Sequence, residues 1–103
     1  MQSMSRQPSL EGLLVELQGL KPELKACYQV SEVAVFGSYV RHGDSPASDL
    51  DVLVAFDEPP SLLRFIELEN ALSDRLGVKV DLVMRDALKP RIGERILREM
   101  VPV

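Results

Sequence analysis

Asp49 and Asp51 stand one residue apart at the head of the apolar run Val52-Leu53-Val54-Ala55-Phe56. If that run is a strand, side chains at i and i+2 leave it on the same face, with Cα atoms about 6.5–7 Å apart. Leu50 and Val52 then point the other way, into a core. Two carboxylates converging like this repel each other unless positive charge lies between them. A hard divalent cation such as Mg²⁺ suits that position, because it takes carboxylate oxygen and keeps places for phosphate and water. The bland alternative is a pair of solvated residues in a turn before a strand, since so short a motif also arises by chance.

Gly37-Ser38 shifts the balance toward chemistry. It closes the apolar run Val33-Ala34-Val35-Phe36 and opens what reads as a short helical turn. Glycine lets backbone approach a ligand closely, free amides attract anions, and the Ser38 hydroxyl adds a donor for phosphate oxygen. A plain strand-ending turn with a serine cap is the alternative. Asp81 is a third acid, flanked by Val80 and Leu82, and so lies at an exposed edge or is held by a partner. If its strand lies beside the Asp51 strand, the three acids form one cluster. Arg41, just past Ser38, is a candidate phosphate contact or a surface residue. Lys79 is a rim charge or a phosphate contact on the Asp81 face, with the rim charge favoured. His42 reads as a surface residue, since it is the single histidine and has no partner for a metal site.

The elements that must position these residues follow from periodicity. Pro8 to Val30 reads as helical, with Ser9 as N-cap and leucines 10, 13, 14, 17 and 20 at helical spacing. Pro22 is a point of break or restart, and Cys27 reads as a small buried residue on the apolar face. Val33–Phe36 is a buried strand, Tyr39–Gly43 a short helical turn, Asp44–Ser48 a loop, and Asp49–Phe56 a second strand. Ser61 caps a third helix whose buried stripe is Leu62, Phe65, Ile66, Leu68, Leu72 and Leu76, ending at Gly77. Val78–Met84 alternates as a third strand. Pro90 opens a last helix with Ile92, Ile96, Leu97 and Met100 on one face, while Arg91, Arg95 and Arg98, partly balanced by Glu94 and Glu99, read as a solvated face.

Composition bounds the partners. The 103 residues carry 12 Lys+Arg and 16 Asp+Glu, for a formal net charge of -4. No basic block is present to neutralise phosphates, so direct nucleic-acid binding is not expected. One cysteine excludes an intramolecular disulfide and a Cys-based metal cage. The apolar runs are too short to span a bilayer, the N-terminus lacks the apolar core of a signal peptide, and a cytoplasmic location is expected. The length fits a single domain, 1–103, with residues 1–30 an N-terminal helical segment and 31–103 a motif-bearing core.

The joint pattern resembles a known family. Phe36-Gly37-Ser38, then ten residues, then Asp49-Leu50-Asp51-Val52, then Asp81 within Val80-Asp81-Leu82-Val83, is similar to the signature of polymerase-beta-type nucleotidyltransferases. The stretches Gly37–Arg41 and Ser48–Val54 resemble the minimal nucleotidyltransferase (MNT) branch. One departure stands out: His42 intervenes between Arg41 and Gly43, where the family has Arg-Gly directly.

The resemblance implies an α/β nucleotidyltransferase fold, with a mixed three-stranded sheet covered by helices and the acids gathered at one sheet edge. It implies Asp49, Asp51 and Asp81 as catalytic and metal-holding residues for two Mg²⁺ ions, and Gly37, Ser38 and Arg41 as nucleotide-binding residues. A two-ion site stabilises both the entering and the leaving oxygen of an in-line displacement. The chain also resembles the MNT antitoxins of HEPN/MNT toxin–antitoxin pairs, which transfer AMP from ATP to a tyrosine of a HEPN ribonuclease. A HEPN-type partner in a hetero-oligomer is thus expected. Two alternatives are a binding antitoxin without turnover and an oligomeric nucleotidyltransferase acting on a small molecule such as an antibiotic. A chain this short leaves no evident acceptor pocket, which favours an acceptor that arrives as a folded partner.

Overall fold

The computed structural model describes residues 9–42 and 49–103, without the His42 side chain. The expectations for the polar N-terminus, for Gly43 and for the Asp44–Ser48 loop lie outside the described residues. The elements are α1 (Leu10–Tyr28), β1 (Val30–Phe36), α2 (Ser38–His42), β2 (Leu50–Phe56), α3 (Leu62–Leu76), β3 (Val80–Met84), a 3-10 turn (Arg85–Ala87), α4 (Pro90–Glu99) and β4 (Val101–Pro102).

Ser9 caps α1 by accepting from the Gly12 amide at 3.1 Å, and Ser61 caps α3 by accepting from the Arg64 amide at 3.2 Å. Each serine satisfies an amide that has no partner within its own helix. Pro22 does not interrupt α1. It lies on the exposed side, as does Gln18, whose carbonyl it deprives of a donor and which water can serve instead. The helix stops at Tyr28, two residues earlier than expected, because Gln29 turns left-handed with φ 61° and Val30 already belongs to β1.

The sheet order is β3-β2-β1-β4. β1 pairs antiparallel with β2 and with β4, and β2 pairs parallel with β3. The sheet is mixed, as the resemblance implied, but has four strands in place of three. Val101 and Pro102 add the fourth beside Ala34 and Val35. The expected strand at Val33 starts earlier, at Val30, and the one at Val78 starts later, at Val80. A bulge in β1 between Val30 and Glu32 lets both Val30 and Val33 reach the core.

α1 and α3 cover one face of the sheet. Leu13, Leu17, Leu20 and Leu24 of α1 and Leu68, Leu72 and Leu76 of α3 pack on Val33, Val35, Leu50, Val52, Val54, Val80 and Leu82. Burying each such side chain favours folding by about 1.5–3 kcal/mol. α3 also fastens to the outer side of β3: the Val80 amide donates to Ser73 Oγ at 2.9 Å and the Leu82 amide to Glu69 Oε2 at 2.8 Å.

Cys27 is exposed, because the buried stripe of α1 runs through Leu20 and Leu24 and passes it by. Leu62 and Ile66 are 75% and 42% exposed, so the buried stripe of α3 narrows to Phe65, Leu68, Leu72 and Leu76. The first turn of α3 is instead held through Arg64, which donates to the Cys27 carbonyl and stacks 4.4 Å over the Tyr28 ring. No helix among the described residues is long and apolar enough to cross a membrane.

Candidate active site

By strand alternation, the second face of the sheet carries Phe36 of β1, Asp51 of β2 and Asp81 of β3. Register makes the three neighbours: Asp51 pairs with Phe36 on one side and with Asp81 on the other. The adjacency that the sequence left conditional is therefore present. The acids do not share a sheet edge, however. Asp51 is on an inner strand and only Asp81 is on an edge strand. Asp49 precedes β2 with the same parity and is half-exposed, with Lys79 Nζ 4.0 Å from its Oδ2. Lys79 is 79% exposed, in keeping with a rim charge, and its carbonyl accepts from the Leu50 amide at 2.9 Å, which fixes the start of β2 against β3.

The turn after β1 is built around Asp51. Gly37 has φ +79°, a left-handed conformation that side chains resist. A Cβ there would lie 1.9 Å from Asp51 Oδ2, so the carboxylate occupies the place a side chain would need. The Gly37 carbonyl accepts from the amides of Val40 and Arg41, each at 3.1 Å, starting α2 directly behind the carboxylate. Ser38 opens α2 partly exposed, and Tyr39 is completely buried, anchoring the turn in the core.

Burial, then the charges of Asp81 and Asp49, raise the Asp51 pKa above its ordinary value, while Arg41 pulls it the other way. Arg41 thus acts on Asp51 through its charge. Its guanidinium is paired with Glu99 of α4, Nη1 to Oε1 at 3.1 Å. Beside this pair lies a cavity of about 330 Å³, lined by Gly37, Arg41 and Asp51 on one side and by Ile92, Arg95 and Glu99 on the other.

Among the described residues no three carboxylate, imidazole or thiol groups stand close enough to form a ready cation cage. The donor set nevertheless fits a hard cation. The ligands would be carboxylate oxygens, and the central one is half-buried beside two like charges, a field that a bound cation relieves. The contribution of α4 was not read from the sequence, which gave Arg95 and Glu99 to a solvated face. Nothing in the spacing of residues 90–99 announces a partner 58 residues away in Arg41.

A family model for the nucleotidyltransferase domain matches residues 17–103. The chain belongs to this family. More narrowly, it is similar to the protein adenylyltransferase MntA of Thermococcus cleftensis, with 50% identity over 95 residues, covering 92% of this chain and 96% of the relative. A solved structure assigned as a minimal nucleotidyltransferase superposes with a TM-score of 0.78 at 41% identity, covering 93% of this chain and 97% of that one. The MNT antitoxin solved in complex with a tri-AMPylated HEPN toxin of Shewanella oneidensis shares the fold, with a TM-score of 0.63 at 20% identity, covering 86% of this chain and 68% of the other.

Proposed function

We propose that this nucleotidyltransferase is a Mg²⁺-dependent antitoxin that moves AMP from ATP to a tyrosine hydroxyl of a partner HEPN ribonuclease, and so neutralises it in the cytoplasm. The observation that carries the reading is the fit of the Asp51 carboxylate under Gly37, in register with Asp81. The adenylyltransferase relative at 50% identity and the shared fold of an MNT antitoxin seated on an AMPylated toxin support the donor and the acceptor.

In this reading Asp49, Asp51 and Asp81 hold Mg²⁺, two ions when fully loaded. When bound, the metal neutralises phosphate charge and lowers the pKa of the attacking hydroxyl. Gly37 and Ser38 receive the triphosphate at the turn, and Arg41 supplies positive charge beside it. The acceptor oxygen bonds to the α-phosphorus, the bond to the β-phosphate oxygen breaks, pyrophosphate leaves, and the hydroxyl proton is released. Asp51 is half-buried and Asp81 exposed, so a folded acceptor can present its hydroxyl beside them.

Incubation with labelled ATP, Mg²⁺ and the protein encoded by the neighbouring gene tests this. Label on a tyrosine of that protein, with loss of its ribonuclease activity, is the expected result. An unlabelled neighbour that is still neutralised by an Asp49/Asp51 double variant would replace transfer with docking alone.

A further inference from the structure

The Glu99 carboxylate is shared between two arginines. Oε1 accepts from Arg41 Nη1 at 3.1 Å, and Oε2 lies 3.5 Å from Arg95 Nε. Arg41 comes from α2 and Arg95 from α4, and both line the cavity that also contains Asp51. Packing holds α4 only loosely, since Gly93 alone of its ten residues is buried. Among the described residues, Arg41–Glu99 is the ion pair that ties α4 to the rest of the fold.

A triphosphate entering beside Asp51, Asp81 and Asp49 meets negative charge and needs cationic donors already in place. A guanidinium has five N–H donors in a rigid fork, so one bond to Glu99 leaves others free for phosphate oxygen. Long arginine side chains lose rotamer freedom when they grip a ligand, and holding them beforehand removes part of that cost. Glu99 does this for two of them at once, from opposite walls of one cavity. We propose that Glu99 is a positioning residue that sets Arg41 and Arg95 as a paired-guanidinium clamp for the triphosphate of the nucleotide donor. This rests on the reading of the protein as an ATP-dependent transferase.

The sign of one substitution separates positioning from plain electrostatics. Glu99→Gln removes a negative charge from the rim of an anion site, so electrostatics alone predicts tighter nucleotide binding. Positioning predicts weaker binding, because both arginines are released. Titration calorimetry with a non-hydrolysable ATP analogue and Mg²⁺ measures this without any acceptor. We expect the dissociation constant of Glu99→Gln to rise about three- to tenfold, the scale of one ordinary hydrogen bond's net contribution. Arg95→Ala should show a similar rise; its side chain is 72% exposed, so the fold does not depend on it. The two changes combined should cost less than the sum of their separate effects, since they act in one network. In turnover, KM for ATP should rise by a larger factor than kcat falls. Unchanged or tighter analogue binding by Glu99→Gln, or unchanged binding by Arg95→Ala, would overturn the clamp. A Glu99-dependent affinity with no labelled acceptor would keep the clamp and remove the adenylyl transfer. A labelled acceptor with Glu99-independent affinity would do the reverse.

Discussion

Asp51 Oδ2 fills the space in which a side chain at residue 37 would begin, 1.9 Å from where that Cβ would stand. The left-handed turn at Gly37 and the carboxylate on the neighbouring strand are therefore one unit, set by the pairing of Phe36 with Asp51. Gly37→Ala should fail on both counts. Positive φ costs an alanine about 1–2 kcal/mol, and the methyl must also displace the carboxylate. The expected outcome is a lower melting temperature together with loss of adenylyl transfer, measured by thermal unfolding and by labelling of the acceptor.

Asp51→Asn should separate stability from activity. Burial and like charge raise the Asp51 pKa in the folded state. For a carboxyl so raised, the ionised form costs stability at neutral pH. As pH falls through the folded-state value, the folded protein takes up its proton before the unfolded chain does, and the cost disappears. In metal-free buffer the Asn variant should melt a few degrees above wild type at pH 7, and the difference should vanish below the ordinary carboxylate range. Transfer should fall by about 10²-fold or more. A variant that melts lower than wild type at pH 7 would show that the carboxylate is held by favourable contacts and not against its own field.

Metal removal gives a matching pair of outcomes. Chelation should abolish transfer, and restoring Mg²⁺ should recover it. Because a cation relieves the repulsion among Asp51, Asp81 and Asp49, Mg²⁺ should also raise the melting temperature of the wild type, by mass action on the folded state. The same addition should do little for Asp51→Asn. Thermal scans of both proteins, with chelator and with Mg²⁺, check this without an acceptor or a nucleotide.

The site depends on the core beneath it. Leu68 is fully buried in the layer that backs β2 and β3. Leu68→Ala should cost about 2–5 kcal/mol, as buried leucine truncations do. Denaturant unfolding measures the loss, and any fall in transfer at a temperature where the variant is still folded reports how rigidly the Asp51–Asp81 register must be held.

Much of this was legible in the sequence. The apolar runs before Gly37 and after Asp51 read as strands from their length and their flanking turn residues, and Ser9 and Ser61 announced the helices they cap. What stayed hidden was set by contacts distant in sequence. Val101-Pro102 is too short for periodicity to mark as a strand, and pairs only because Ala34 and Val35 offer an open edge. Cys27 and Ile66 have the right residue type for a core and the wrong angular position on their helices. Glu99 reads as one charge among several on an arginine-rich helix, and acquires a role only when the fold carries it to Arg41.

The hydrogen bonds from Ser73 and Glu69 to β3 have a consequence for assembly. The outward amides of an edge strand are what an incoming strand needs in order to extend a sheet. Here the Val80 and Leu82 amides are already taken by side chains of α3. The opposite rim is the two-residue β4, where Pro102 has no amide to give. Both rims thus resist strand addition, which protects a small sheet from polymerising edge to edge. It also restricts how any other chain can engage the protein: contact must run through side-chain surfaces and not through an added strand.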